Sequence, residues 1–301
     1  MGMDLGGARG MTVGLQPARL SVSSISSPDT PLADDIALAG ALGLGGLGLW
    51  GYKLAGEKDV PQRLADAGLE VSNLVPRGNS IFPYALSRDP AAPTDRVDRL
   101  IERLTAAAEL SPRCVVCITG PRPPDMSEER AREVAAALLT QVADAAAELG
   151  LVVALEPIHP RISASFSLVS TIEDAVSLLA QAGSDRVRVL LDTWHVGDSP
   201  DLAGQLARHA KRIVGVHVAD RVPGWSHWAQ RAFPGEGARE VPGLIDQILA
   251  AGFGGLLDVE IFSDDGRYGK RVRPSLWELG AAEIFRRCVG GVVAMGPGKG
   301  R

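Results

Sequence analysis

The stretch Val152-Val153-Ala154-Leu155-Glu156-Pro157 decides the fold of this chain. Its apolar and β-branched residues are typical of a buried strand, and the strand ends at a carboxylate followed by a proline. Three later apolar runs also end at an ionisable residue, namely Asp192, His217 and Glu260. A charge at the end of a buried strand is costly unless another group pairs with it. The four strand ends therefore predict one shared site.

Predicted strands and helices alternate along the chain, as in an α/β fold. The strands are predicted at residues 20–25, 46–50, 69–75, 114–119, 152–156, 187–192, 213–217 and 256–260. Helical patterns lie between them at residues 32–42, 59–67, 94–109, 127–150, 201–208 and 242–251, and residues 274–288 close the chain. One further helix is predicted to begin at a capping pair formed by Ser170 and Glu173. Eight such units predict a single-domain (β/α)8 TIM barrel at residues 18–289.

An open, doubly wound sheet is the main competing fold. The glycine motif typical of dinucleotide-binding sheets is absent, because no G-x-G-x-x-G joins the first strand to the first helix. The glycines of residues 40–48 lead into the second strand instead of a helix. Both ends of the chain are Gly-rich, so we expect a disordered extension at residues 1–17 and a flexible tail at residues 290–301.

Composition excludes several functional classes. The 301 residues carry a net charge of −5, so a broad basic surface for nucleic acid is not expected. No apolar run is long enough to cross a bilayer. The three cysteines include Cys114 and Cys117 on one predicted strand, where they point to opposite faces and are interpreted as structural thiols. Without a disulfide framework, we predict a cytoplasmic protein, and a homo-oligomer or a partner subunit is left open.

The four strand-end residues are candidate metal ligands. Glu156, Asp192, His217 and Glu260 offer mostly oxygen atoms and one imidazole. This set favours one divalent ion, Mn²⁺ first, with Mg²⁺, Co²⁺, Fe²⁺ and Zn²⁺ as alternatives. Such an ion stabilises an enediolate, and Glu156 and Glu260 are the natural pair to remove and return the proton α to a carbonyl. The competing interpretation is that each carboxylate only pairs with an arginine.

Five short motifs, in this order, resemble the xylose-isomerase-like sugar phosphate isomerase/epimerase superfamily over residues 19–288. They are Leu155-Glu156-Pro157, Asp192-Thr193-Trp194-His195, His217-Val218-Ala219-Asp220, Pro234-Gly235-Glu236-Gly237 and Val259-Glu260. The resemblance implies that Glu156, Asp192, His217 and Glu260 hold the metal and that the two glutamates form the acid/base pair. It also implies that His195, Asp220 and Arg231 lie near the substrate.

The fifth strand departs from the ketose epimerases of that superfamily. It continues as Glu156-Pro157-Ile158-His159-Pro160, which is similar to a less characterised branch with Glu-Pro-x-His-Pro. Part of that branch splits C-glycosidic bonds of 3-keto sugars, and the resemblance implies that His159 is a base there. The alternative is that His159 only shapes a proline-rigid loop. The superfamily's trinuclear zinc nucleases are excluded, because no histidine precedes His159.

Trp50 and Lys53 follow the second predicted strand and are predicted to contact the substrate. The loop at residues 221–233 is a candidate lid, because long βα loops carry function in barrels. We therefore predict a metal-dependent isomerase or epimerase of a keto-sugar or polyol-like small molecule. One alternative is a lyase or dehydratase of the same superfamily with His159 as base. The other is a non-catalytic barrel that binds small molecules.

Overall fold

Eight parallel strands close into a barrel in the computed structural model, which describes residues 15–183 and 186–294. The strands follow chain order around the barrel, and the last one pairs with the first. The barrel strands are β1 Leu20–Ser23, β2 Gly46–Trp50, β3 Glu70–Val75, β4 Val115–Cys117, β5 Val153–Leu155, β6 Val187–Asp192, β7 Ile213–Val218 and β10 Leu257–Val259. The predicted single-domain (β/α)8 barrel is confirmed.

Helices alternate with the strands of the barrel along the described chain. They are α1 Leu32–Ala41, α2 Val60–Asp66, α3 Pro93–Ala108, α4 Glu128–Glu148, α5 Pro160–Phe166, α6 Ile172–Ala182, α7 Thr193–Val196, α8 Leu202–His209, α9 Val241–Ala250 and α10 Ala281–Val293. Two strands outside the barrel, β8 Asp220–Arg221 and β9 Arg231–Ala232, form an antiparallel pair that joins the two ends of the candidate lid. Among the described helices, none is long and apolar enough to span a membrane.

The two cysteines of the fourth strand illustrate how the strands separate two apolar layers. Cys114 packs inside the barrel with Val116 and Leu190, whereas Cys117 belongs to the layer between strands and helices. Both are free thiols, and burial raises the pKa of each to about 12. The opposite orientation agrees with the interpretation of both residues as structural.

Several predicted boundaries differ from the structure by one or more residues. Helix α6 is capped by Thr171, whose hydroxyl accepts from the amide of Asp174, so the capping pair lies one residue later than Ser170 and Glu173. The first strand ends at Ser23 and continues as a 3-10 turn. Helix α10 extends to Val293, inside the segment predicted to be a tail, because Val292 is buried in the core. Residues 1–14 and 295–301 lie outside the described residues.

Candidate active site

Three of the four candidate ligands lie together at the carboxyl-end face of the barrel. Ligand atoms of Glu156, Asp192 and His217 all lie within 4.8 Å of one another, and all three residues are buried. Glu260 lies beside them, with its Oε2 at 3.3 Å from Nδ1 of His217. Parallel strands end at the same face of a barrel, which explains why four residues so distant in sequence converge.

Arg231 closes this group from the opposite side. It lies on β9, and its Nη1 is 2.8 Å from Oδ2 of Asp192 and 3.3 Å from Oε2 of Glu260. The indole nitrogen of Trp50 donates to Oε1 of Glu260 at 3.2 Å. The guanidinium therefore offsets part of the negative charge that the three carboxylates bring together, and it holds two of them in place.

The surroundings shift the pKa values of these four residues in different directions. Burial raises the pKa of Glu156 and that of Asp192. Burial would also raise the pKa of Glu260, but the charges of His217 and Arg231 and the hydrogen bond from Trp50 lower it to about 2. Burial opposes charge on His217, yet Glu260 and Glu156 raise the pKa of its imidazole well above the ordinary value. The site thus attracts positive charge to its centre.

His195 also lies in the cleft and is oriented by the chain behind it. Its Nδ1 accepts the backbone amide of His159 at 3.1 Å, so a neutral ring has its proton on Nε2. That nitrogen lies 3.7 Å from Oδ2 of Asp192 and 4.0 Å from Oε1 of Glu156. Burial and the nearby cations hold the pKa of His195 well below its usual value. His195 can therefore donate a hydrogen bond into the cleft.

The structure does not place His159 as a base toward the cleft. Its Nδ1 accepts the amide of Arg161 at 3.1 Å and so caps helix α5. Its Nε2 faces Asp198 at 3.5 Å. Since both ring nitrogens face groups outside the cleft, this geometry favours the alternative in which His159 shapes the loop, and a role as base stays a prediction.

The side chains of Lys53 and Asp220 are both bound by other parts of the chain. The Lys53 ammonium is buried in an ion pair with Asp35 at 2.5 Å and donates to the carbonyl of Ser27. Asp220 accepts the backbone amides of Gly235, Gly237 and Arg239 and so anchors the loop after β9. These internal partners satisfy both buried charges, so substrate contact by Lys53 and by Asp220 stays a prediction that the geometry does not favour.

A cleft of about 80 Å³, partly open to solvent, lies over the group. Its floor is polar and includes Glu156, His195, His217, Arg231 and Glu260. Its walls are mostly apolar and aromatic, formed by Trp50, Val75, Tyr84, Leu86, Ile118, Ile158, Ile162, Phe166, Trp228 and Phe262. Trp50 was predicted to contact the substrate, Trp228 lies in the candidate lid and Ile158 lies in the motif after the fifth strand. The other wall residues come from several segments of the chain and share no motif, so no sequence pattern groups them.

A family described as xylose isomerase-like TIM barrel matches residues 36–286 of this chain. The inosose isomerase of Bacillus velezensis is 24% identical over 241 residues, which are 75% of this chain and 80% of that protein. The L-ribulose 3-epimerase of Mesorhizobium japonicum is 28% identical over 212 residues, 68% of this chain and 66% of that protein.

Two solved structures resemble the barrel closely. Protein SMc04130 from Sinorhizobium meliloti 1021 superimposes with a TM-score of 0.81 at 26% identity and covers 93% of this chain and 99% of its own. The IOLI protein with a bound zinc atom superimposes with a TM-score of 0.75 at 19% identity, covering 92% and 97%. These likenesses agree with the closed eight-stranded barrel.

Proposed function

Because this chain belongs to the family of xylose isomerase-like TIM barrels, we propose that it is a divalent-metal-dependent isomerase or epimerase of a keto-sugar or polyol-like substrate. Relatives that carry the names inosose isomerase and L-ribulose 3-epimerase support this class. The observation that carries the proposal is the buried group of Glu156, Asp192 and His217 with Glu260 beside it.

The donor set fits a divalent ion. Both nitrogens of His217 are buried without a hydrogen-bond partner, which is unfavourable unless another group satisfies them. Glu156, Asp192, His217 and Glu260 would hold the ion, and Mn²⁺ is our first choice. When bound, the ion supplies Lewis-acid stabilisation of the negative charge that develops on the substrate oxygens.

The side chains of the chain itself supply the proton transfers. One of the two glutamates, Glu156 or Glu260, removes the proton α to the carbonyl, and the other returns a proton from its own side. They follow strands β5 and β10, which are not neighbours in the barrel, so they approach the cleft from different directions. His195, through its Nε2 proton, and Arg231 orient substrate oxygens.

Metal analysis and isotope exchange test this proposal. We expect about one divalent ion per chain in the purified protein, and its loss in Glu156→Gln and in His217→Ala. His209→Ala is the matched control, because His209 lies on helix α8, outside the cleft. In deuterated water, a keto-sugar substrate should acquire deuterium at the carbon next to its carbonyl. Unchanged metal content in both variants, or a panel of keto-sugars and inososes without any exchange, would contradict the proposal; the latter would favour the binding barrel.

A lyase acting on a keto-sugar that carries an apolar group is the second candidate. The aromatic and aliphatic walls of the cleft favour it, because most wall residues, among them Ile118, Phe166 and Phe262, have no side-chain group that can pair with a hydroxyl. Release of an aglycone from an aryl glycoside with a 3-keto sugar would support the lyase. Inversion of a free keto-sugar without such release would support the epimerase.

A further inference from the structure

A buried carboxylate below the metal-binding group has no role in the proton transfers described above. Asp258 lies on β10, is 1% exposed, and stands opposite His217 of the neighbouring strand β7 in the sheet register. Its neighbours on the other side belong to β1, where Ser21 occupies the paired position. The sequence analysis overlooked Asp258, because a polar residue within an apolar strand gives no signal of its partners.

Several strands hold this carboxylate in one orientation. The hydroxyl of Ser21 donates to Oδ1 at 2.6 Å, and the amide of Asn73 on β3 donates to Oδ2 at 2.9 Å. On β2, a Cβ at Gly48 would lie 2.2 Å from Oδ2 of Asp258, so this position has room only for glycine. The side chain is therefore confined by three strands that contribute no candidate metal ligand.

Asp258 faces the side of His217 that is turned away from the metal-binding group. Its Oδ2 lies 3.6 Å from Nε2 of His217. The other nitrogen, Nδ1, lies 3.3 Å from Glu260 and 3.8 Å from Glu156. Neither nitrogen has a hydrogen-bond partner. The imidazole therefore lies between Asp258 on one side and Glu156 and Glu260 on the other.

We propose that Asp258 is a positioning residue that keeps the ring proton of His217 on Nε2 and thereby presents the Nδ1 lone pair to the metal. A neutral imidazole has one protonated nitrogen and one with a free lone pair. A carboxylate near Nε2 stabilises the tautomer and ring orientation that ligation requires, as in other carboxylate–histidine–metal arrangements. This inference rests on the proposed function, since it concerns the same metal site.

Asp258→Asn tests the inference, because the substitution removes the charge and keeps the shape. We expect the affinity for Zn²⁺, measured by competition with a chromophoric chelator, to fall about 10–100-fold. Asp246→Asn, the same change on the exposed surface of helix α9, should leave that affinity unchanged. In the zinc-loaded protein, ¹⁵N shifts of His217 should identify Nε2 as protonated in the wild type and change in Asp258→Asn. Affinity within twofold of the wild type in a folded Asp258→Asn protein would overturn the inference.

A second variant keeps the test decisive if Asp258→Asn does not fold. Asn73→Ala leaves the carboxylate but removes one of its two donors, and we expect weaker zinc binding in the same direction. Wild-type affinity in a folded Asn73→Ala protein would then overturn the inference. If the wild type binds zinc but catalyses no proton exchange, the proposed function fails while the role of Asp258 stands. If the wild type binds no zinc, both fail.

Discussion

His159 and His195 lie one behind the other, and the hydrogen bond between them determines what each can do. The amide of His159 occupies Nδ1 of His195, so the neutral His195 ring offers a donor to the cleft, not a lone pair. The imidazole of His159 is engaged in turn by the first turn of helix α5. At the scale of single residues, His195 thus faces the cleft, and His159 lies behind it and orients its ring.

Replacing His159 separates a supporting role from a base. Asparagine is a favourable N-cap residue, so His159→Asn should still accept the amide of Arg161 and retain most of the proton exchange. His159→Ala lacks the cap, and we expect about a tenfold loss, corresponding to roughly 1.4 kcal/mol. Steady-state exchange rates and metal content of both variants provide the measurement. Complete loss of exchange in a His159→Asn protein that keeps its full metal content would instead support the role of His159 as a base.

At the scale of elements, the ion pair of Asp35 and Lys53 fastens helix α1 to the segment after β2. Burial raises the pKa of Asp35 from 3.8 to about 6, although Lys53 and Ser27 lower it. The protonated form is therefore favoured by folding, and its contribution to stability is complete below about pH 4 and lost as the pH rises through 6.

A titration checks this pH dependence. The side-chain ¹³C signal of Asp35, assigned with Asp35→Asn, should have a midpoint near pH 6. The unfolding free energy of the wild type minus that of Asp35→Asn should fall between pH 4 and pH 6, because asparagine stays neutral over this range. A midpoint near pH 4, or a constant difference, would contradict the assignment.

The sequence predicted elements better than it predicted side-chain partners. All eight barrel strands were found, because buried parallel strands are continuous apolar runs with clear ends. Helices α5 and α7 and the β8–β9 pair were missed, since short elements depend on tertiary contacts and not on periodicity. Residues at the end of a strand or directly after it, such as Asp192 and Glu156, could be found because strand ends are encoded locally and parallel strands end at the same face. The partners of Lys53, Asp220 and Asp258 are distant in sequence, so no local pattern could reveal them.

At the scale of the whole molecule, metal binding should stabilise the barrel, because the proposed ligands come from β5, β6, β7 and β10. An ion that binds only the folded state at 100 times its dissociation constant adds about 2.7 kcal/mol. We therefore expect Mn²⁺ or Zn²⁺ to raise the midpoint of thermal unfolding by several degrees and a chelator to reverse the rise. Differential scanning calorimetry provides the measurement. His217→Ala should show no shift, and an equal shift in that variant would place the ion elsewhere.

Because β1 pairs with β10, the barrel can close only after nearly all of its strands have been synthesised. Strand β1 leaves the ribosome before the other seven barrel strands, but its second neighbour arrives only when residues 257–259 have been synthesised. Until then β1 and β7 each keep an unpaired edge, which can recruit another chain. Glu260 and Asp258 emerge with the same segment. The segment that pairs both open edges therefore also completes the candidate active site, and we expect a chain truncated before residue 257 to lack the site and to keep the two unpaired edges.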